Sequence, residues 1–166
     1  MLVEIKHFTR PYNAIVKQIL TDATISFNGK SHKCTALWDT GATGSCIDDN
    51  IAKELNLPVV AKTEMYTPST LKPEEANIYL SDIKLPNNVT IKDANVCGSK
   101  IGQQGIGLLV GMDIISKGDL AISNFNNRTI FSFRYPSCAD INFVGEARYK
   151  DLIKNNTHGK GKRKKH

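Results

Sequence analysis

Asp39 is the acid in this 166-residue chain whose setting most suggests chemistry. The apolar run Thr35-Ala36-Leu37-Trp38 delivers it into Thr40-Gly41-Ala42-Thr43. A carboxylate placed directly after buried residues is costly unless hydrogen bonds or a reaction account for it. Gly41 allows close backbone approach, so its N–H can turn toward the Asp39 oxygens, and Thr40 supplies a hydroxyl for a tight turn. A carboxylate held this way can act as a general acid or base. Asp, Thr and Gly are also ordinary turn formers, so the triplet alone describes a surface turn equally well.

A second motif bears on the choice. Leu108-Leu109-Val110-Gly111-Met112-Asp113-Ile114-Ile115 reads as a buried strand running into a short helix, with Asp113 as a helix cap. Together, Asp39-Thr40-Gly41-Ala42-Thr43 and Leu109-Val110-Gly111 resemble the catalytic loop and the ψ-closing strand of the retropepsin-like aspartic proteases. This is the single-lobed, retroviral-type clan, and the form Val-Gly-Met-Asp-Ile-Ile is similar to its bacterial or phage-like branch. The resemblance spans about Ile15 to Pro136 and does not extend to Asp113 as a second catalytic acid.

The resemblance implies a mainly β fold: a closed, barrel-like acid-protease lobe with one or two short helices and a flap hairpin. It implies Asp39 as the catalytic residue, with Thr40, Gly41 and Ala42 supporting the loop and locking a dimer. Val110 and Gly111 would form the ψ-loop. Thr67, Pro68, Ser69 and Thr70 would belong to a substrate-covering flap, although family flaps often carry glycine at the tip and this segment has none. Because one chain supplies one catalytic carboxylate, a homodimer would bring two copies of Asp39 together. Two like charges at close range cannot both ionise readily, so the pair would share one proton. The implied reaction is hydrolysis of a peptide bond in an extended protein or peptide substrate by an activated water, with no cofactor and no metal. Ala42, where other relatives carry Ser or Thr, implies activity reaching near-neutral pH. The alternative is a non-catalytic peptide-binding or assembly dimer of the same fold.

The elements that must position Asp39 follow from periodicity. Ala23, Ile25 and Phe27 alternate with polar neighbours, Asn28-Gly29 is a hairpin signal, and Cys34 to Trp38 forms the return strand. Residues 1–14 give no clear pattern, and Pro11 and Asn13 argue against regular structure there. After the loop, Ser45 to Ile47 reads as a short strand. Asp48-Asp49-Asn50 then offers N-caps for a helix over Ile51–Leu55, stopped by Pro58. Val59–Tyr66 and Asn77–Ile83 read as strands, as does Val89–Val96 after the turn Leu85-Pro86-Asn87-Asn88. The stretch Gly98–Gly107 has the order Gly-x-x-Gly-x-Gly with no Gly-Lys-Ser/Thr after it, which argues against a phosphate-binding loop and predicts a mobile one. A helix over Met112–Lys117 with Gly118 as C-cap candidate precedes strands at Leu120–Ser123 and Thr129–Arg134.

Composition sets the remaining bounds. A chain of this length is one domain by the usual prior, and 40% hydrophobic content is that of an ordinary globular protein. Residues 1–137 are assigned to the protease-like domain, 138–154 to a C-terminal extension and 155–166 to a basic tail expected to be disordered. Five cationic residues of that tail account for most of the net charge of +6, leaving 17 basic against 16 acidic residues before it. Nucleic acid could be contacted only through that tail, and the absence of aromatic partners favours a plain solvated segment. The N-terminus lacks the apolar core of a signal peptide and no stretch is long enough to span a membrane, so a cytoplasmic location with no membrane partner is expected. The four cysteines are scattered, without zinc spacing, and are expected to be reduced. Gly44-Ser45-Cys46 lacks the glycine spacing of a nucleophile elbow, which argues against Ser or Cys catalysis.

Overall fold

The computed structural model describes residues 4–66 and 73–145, together with Lys150. The expected flap residues Thr67, Pro68, Ser69 and Thr70, and the basic tail, lie outside the described residues. The strands are β1 (Lys6–Pro11), β2 (Ile19–Phe27), β3 (Lys30–Trp38), β4 (Cys46–Asp48), β5 (Val59–Met65), β6 (Glu74–Lys84), β7 (Thr90–Ser99), β8 (Leu108–Val110), β9 (Asp119–Ser123) and β10 (Ile130–Tyr135). Two short helices, α1 (Asp49–Leu55) and α2 (Met112–Ile115), interrupt them. The fold is mainly β, as the sequence implies. No helix among the described residues is long and apolar enough to cross a membrane.

Six strands close a ring in the order β2-β3-β8-β4-β7-β6, and β6 returns to β2 through Ile25↔Ile83. Closure removes the edges that an open sheet would expose. β5 hangs outside the ring on β6. Two of the junctions, β3–β8 and β4–β7, are parallel, so β8 and β4 enter as short strands between long hairpins. The interior is apolar: Ile25, Ala36, Ile47, Ile83, Leu108 and Val110 are fully buried. The β2–β3 hairpin turns at Asn28 and Gly29 with φ of 46° and 79°, the two positive values that a two-residue type I′ turn requires.

A second sheet, β1-β10-β9, packs against the barrel through aromatic rings. Phe131 and Phe133 each lie 4.8 Å, centroid to centroid, from Trp38, the last residue of β3. Phe8 of β1 tilts against the same three rings. The indole Nε1–H of Trp38 donates to Thr21 Oγ at 2.9 Å, so its polar edge is satisfied inside the core.

Several local expectations are corrected. Residues 6–11 form a strand because Pro11 ends it on a sheet edge, where a missing N–H costs little. α1 stops at Asn56, whose left-handed φ of 52° caps it two residues before Pro58. α2 ends at Ser116 rather than Lys117. Gly118 lies beyond that cap, and its missing Cβ makes room for the Arg134 carbonyl and the Phe133 ring.

The stretch Gly98–Gly107 departs furthest from expectation. β7 continues to Ser99, residues Ile101–Gln104 form a 3-10 turn, and Gly102 N–H donates to Asp48 Oδ2 at 2.7 Å. A Cβ on Gly102 would sit 2.6 Å from that same oxygen, and one on Gly107 would sit 2.5 Å from Cys34 Cβ. These glycines mark close packing, not mobility.

Candidate active site

Asp39 stands where β3 leaves the barrel. Its N–H donates to Val110 O at 3.0 Å, which carries the β3–β8 pairing one residue into the loop. Its Oδ1 accepts from Gly41 N at 2.8 Å, the hydrogen bond that the Asp-Thr-Gly order anticipates. A Cβ on Gly41 would lie 3.2 Å from the same oxygen, so a larger residue would crowd the carboxylate. Asp39 and Ala42 are half-buried in the single chain, whereas Thr40 is exposed.

The far end of the loop is clamped to α2. Met112 N donates to Ala42 O at 2.8 Å and Asp113 N to Thr43 O at 3.1 Å. Gly111, which caps α2, is packed so closely that a Cβ would meet Gly44 O at 2.5 Å and Ala42 O at 3.1 Å. Asp39, Gly41, Ala42, Val110 and Gly111 are thus brought together, as the two motifs anticipate. The expected flap residues lie outside the described residues, but the strand ends that bracket them, Met65 and Glu74, are paired.

Ser45 is the positioning residue that sequence reasoning considered only as a nucleophile. It is 1% exposed; its Oγ accepts from Gly111 N at 2.9 Å and donates to Asp113 Oδ1 at 2.6 Å. Asp113 is therefore not the cap of α2. It sits in the first turn and receives the Ser45 hydroxyl, a placement that the helix dipole also favours. The partners of Ser45 lie 66 and 68 residues away, so only the hydroxyl at the mouth of a buried strand hinted at the role.

The thiols nearby are poor nucleophiles. Burial, then the proximity of Cys97 and Asp113, pushes the Cys46 thiol up to about 12, and burial pushes Cys34 up to about 11. Such groups are protonated at neutral pH, and the thiolate is the reactive form. None of the four cysteines is in a disulfide. Among the described residues there is no cluster of three or more His, Cys, Asp or Glu side chains able to hold a metal ion. The loop itself can therefore offer a hydrogen-bonded carboxylate at a mouth shaped by backbone.

The model of a family described as gag-polyprotein putative aspartyl protease matches residues 23–117, from within β2 to just beyond α2. Among solved structures, a retropepsin-like aspartic protease from Rickettsia conorii is similar with a TM-score of 0.50 at 15% identity, over 80% of this chain and 94% of that one. The EIAV protease, solved with the inhibitor HBY-793, has a TM-score of 0.45 at 21% identity, over 63% of this chain and 90% of its own. The simian foamy virus (mac) protease has a TM-score of 0.43 at 18% identity, over 59% and 92% respectively. No curated protein matches. The Rickettsia likeness bears on the fold alone.

Proposed function

This chain belongs to the family of gag-polyprotein putative aspartyl proteases, and from that premise we propose that it is an aspartic endopeptidase acting as a homodimer. The observation that carries the reading is the Asp39 carboxylate, oriented by Gly41 N at 2.8 Å on a loop clamped at both ends. A turn with no chemical task has no need of such a clamp from a second, distant strand.

One chain supplies one such carboxylate, and the chemistry needs two. Two copies of Asp39 facing each other across a two-fold axis share a single proton, since like charges so close cannot both ionise. The ionised carboxylate takes a proton from a water, which attacks the scissile carbonyl. The protonated one hydrogen-bonds the carbonyl oxygen, and the pair then delivers a proton to the leaving nitrogen. No covalent intermediate forms. Thr40, exposed at the loop tip, faces the second copy and ties the two loops. The substrate lies extended, as an added strand, between this floor and the hairpin that joins β5 to β6.

The β1-β10-β9 sheet supports the dimer. It lies directly against Trp38, next to Asp39, and β9 forms one of its edges among the described residues. The β1 edge is blunted by Lys6, Arg10 and Pro11, whereas β9 carries exposed Ile122 and a single charge, Asp119. A second copy paired at β9 would set both Asp39 loops over one continuous sheet.

The test is incubation of the purified protein with a diverse peptide mixture from about pH 4 to 7.5, beside Asp39→Asn, with products read by mass spectrometry. Cleavage by the parent that disappears in Asp39→Asn is the expected result. No cleavage by either, at concentrations where sedimentation shows the dimer, would replace the enzyme with a peptide-binding dimer.

A further inference from the structure

Three sulfur-bearing side chains meet on the barrel wall beside the clamped loop. Cys46 of β4 and Cys97 of β7 are register partners in the parallel β4–β7 pair. Register partners carry their side chains on the same face of a sheet, which makes the two thiols neighbours, and the Cys97 thiol donates to Met65 Sδ at 4.0 Å. Met65 is the last residue of β5, and its side chain reaches past β6 to Cys97. All three residues are partly exposed, so an ion from solvent can reach them. The proposed peptide chemistry uses none of these sulfurs.

One of the three sulfur spacings is already that of a metal site. Metal–sulfur bonds of roughly 2.3 Å at trigonal angles hold their sulfurs about 4.0 Å apart, which is the distance already present between Cys97 and Met65. Thiolate and thioether ligands together are soft and select monovalent copper over harder ions. We propose that Cys46, Cys97 and Met65 form a trigonal, all-sulfur binding site for Cu(I).

Binding is an exchange without redox change. One Cu(I) enters, the two thiols release their protons to solvent, and the thioether donates a lone pair, leaving a complex with one negative charge. Because two protons leave as the ion binds, protons compete with it and apparent affinity rises with pH. A bound ion ties β4 and β7 to the end of β5, from which the connection over residues 66–73 departs. It also sits one residue from Ser45 and next to Leu109, the register partner of Cys46 on β8.

The full-length protein carrying Cys138→Ser, which removes the exposed thiol, is titrated anaerobically with Cu(I) against the chelator bathocuproine disulfonate. One tightly held Cu(I) per chain is expected. Adding Cys46→Ser or Cys97→Ser should weaken binding at least about 100-fold, and Met65→Leu about 10-fold, since ligands matter more than their outer-shell supports. X-ray absorption on the loaded parent should show three sulfurs near 2.3 Å, a readout that needs no variant to fold. Undiminished affinity in the Cys46→Ser and Cys97→Ser proteins overturns the site. So does coordination of the parent's copper by nitrogen or oxygen, or by two sulfurs alone. Binding is read without any cleavage assay, so this result is independent of whether the chain proves to be a protease.

Discussion

Ser45→Ala isolates the clamp on the Asp39 loop. The Ser45 hydroxyl is the sole side-chain link joining Gly111 N, at 2.9 Å, to Asp113 Oδ1, at 2.6 Å, in a site 1% exposed. Alanine removes both bonds and adds nothing. The Gly111 N–H is buried and loses its acceptor, at a cost of about 1–3 kcal/mol. The bond to the carboxylate is worth about 1.5–3 kcal/mol, but Asp113 is only half-buried and recovers part of that from water. A total loss of about 2.5–4 kcal/mol follows. For a chain of this size each kcal/mol shifts Tm by about 2–4 °C, so a fall of about 5–16 °C is expected.

The assay is urea unfolding at one fixed protein concentration, because a dimer's stability depends on concentration. The midpoint should drop while the slope stays constant. Asp113→Asn keeps an acceptor for the serine and should cost about 1 kcal/mol or less. In the Ser45→Ala background Asp113→Asn should then cost less than it does in the parent, a coupling of up to about 1 kcal/mol between the two positions. Where cleavage is measurable, kcat should fall by about 10- to 100-fold, since a shift of about 1 Å in a catalytic group is enough for that. A loss of stability below about 1 kcal/mol in Ser45→Ala, with no coupling to Asp113, would refute the clamp.

Two further outcomes follow from the packing around the barrel. Gly107→Ala forces a Cβ to within 2.5 Å of Cys34 Cβ and 2.6 Å of Ile51 Cδ1, and should cost about 1–3 kcal/mol by overpacking; equal stability to the parent in the same urea titration would mean the loop is mobile after all. Asp119 accepts hydrogen bonds from Ser137 Oγ and Cys138 N and pairs with Arg134, which together hold its carboxyl at about 2, below the usual 3.8. A depressed acid stabilises the fold above its unfolded value and loses that contribution as pH falls from 3.8 through 2. The acid loss of stability between these values should therefore be shallower in Asp119→Asn than in the parent, and parallel profiles would remove Asp119 from the account.

Much of the fold was legible because its signals are local. Asn28-Gly29 needs only its own two positive φ angles to make the hairpin that feeds Asp39. The Asp48 cap on α1 likewise acts over two residues, through its bond to Asn50 N at 3.0 Å. β1 was not legible, because Pro11 reads as a breaker until the strand is known to lie on an edge and to pair with β10. Its order comes from Phe8 packing on Trp38, a contact between residues 30 apart in sequence.

Glycine was the least legible residue type, and the reason is physical. Absence of a Cβ permits either a wide range of backbone angles or a close approach by a neighbour, and sequence shows only the absence. Gly105, with φ of 75°, uses the first property. Gly102 and Gly107 use the second, and what approaches them is Asp48, Cys34 and Ile51 from other strands and a helix. The candidate site repeats the distinction. Gly41 could be placed from sequence because its neighbour is Asp39, two residues away. The packing of Gly111 against Gly44 needed the closed barrel, because β8 meets β3 on one side and β4 on the other. Asp39 is therefore held by a strand that arrives about seventy residues later, and its position depends on closure of the ring as much as on its own loop.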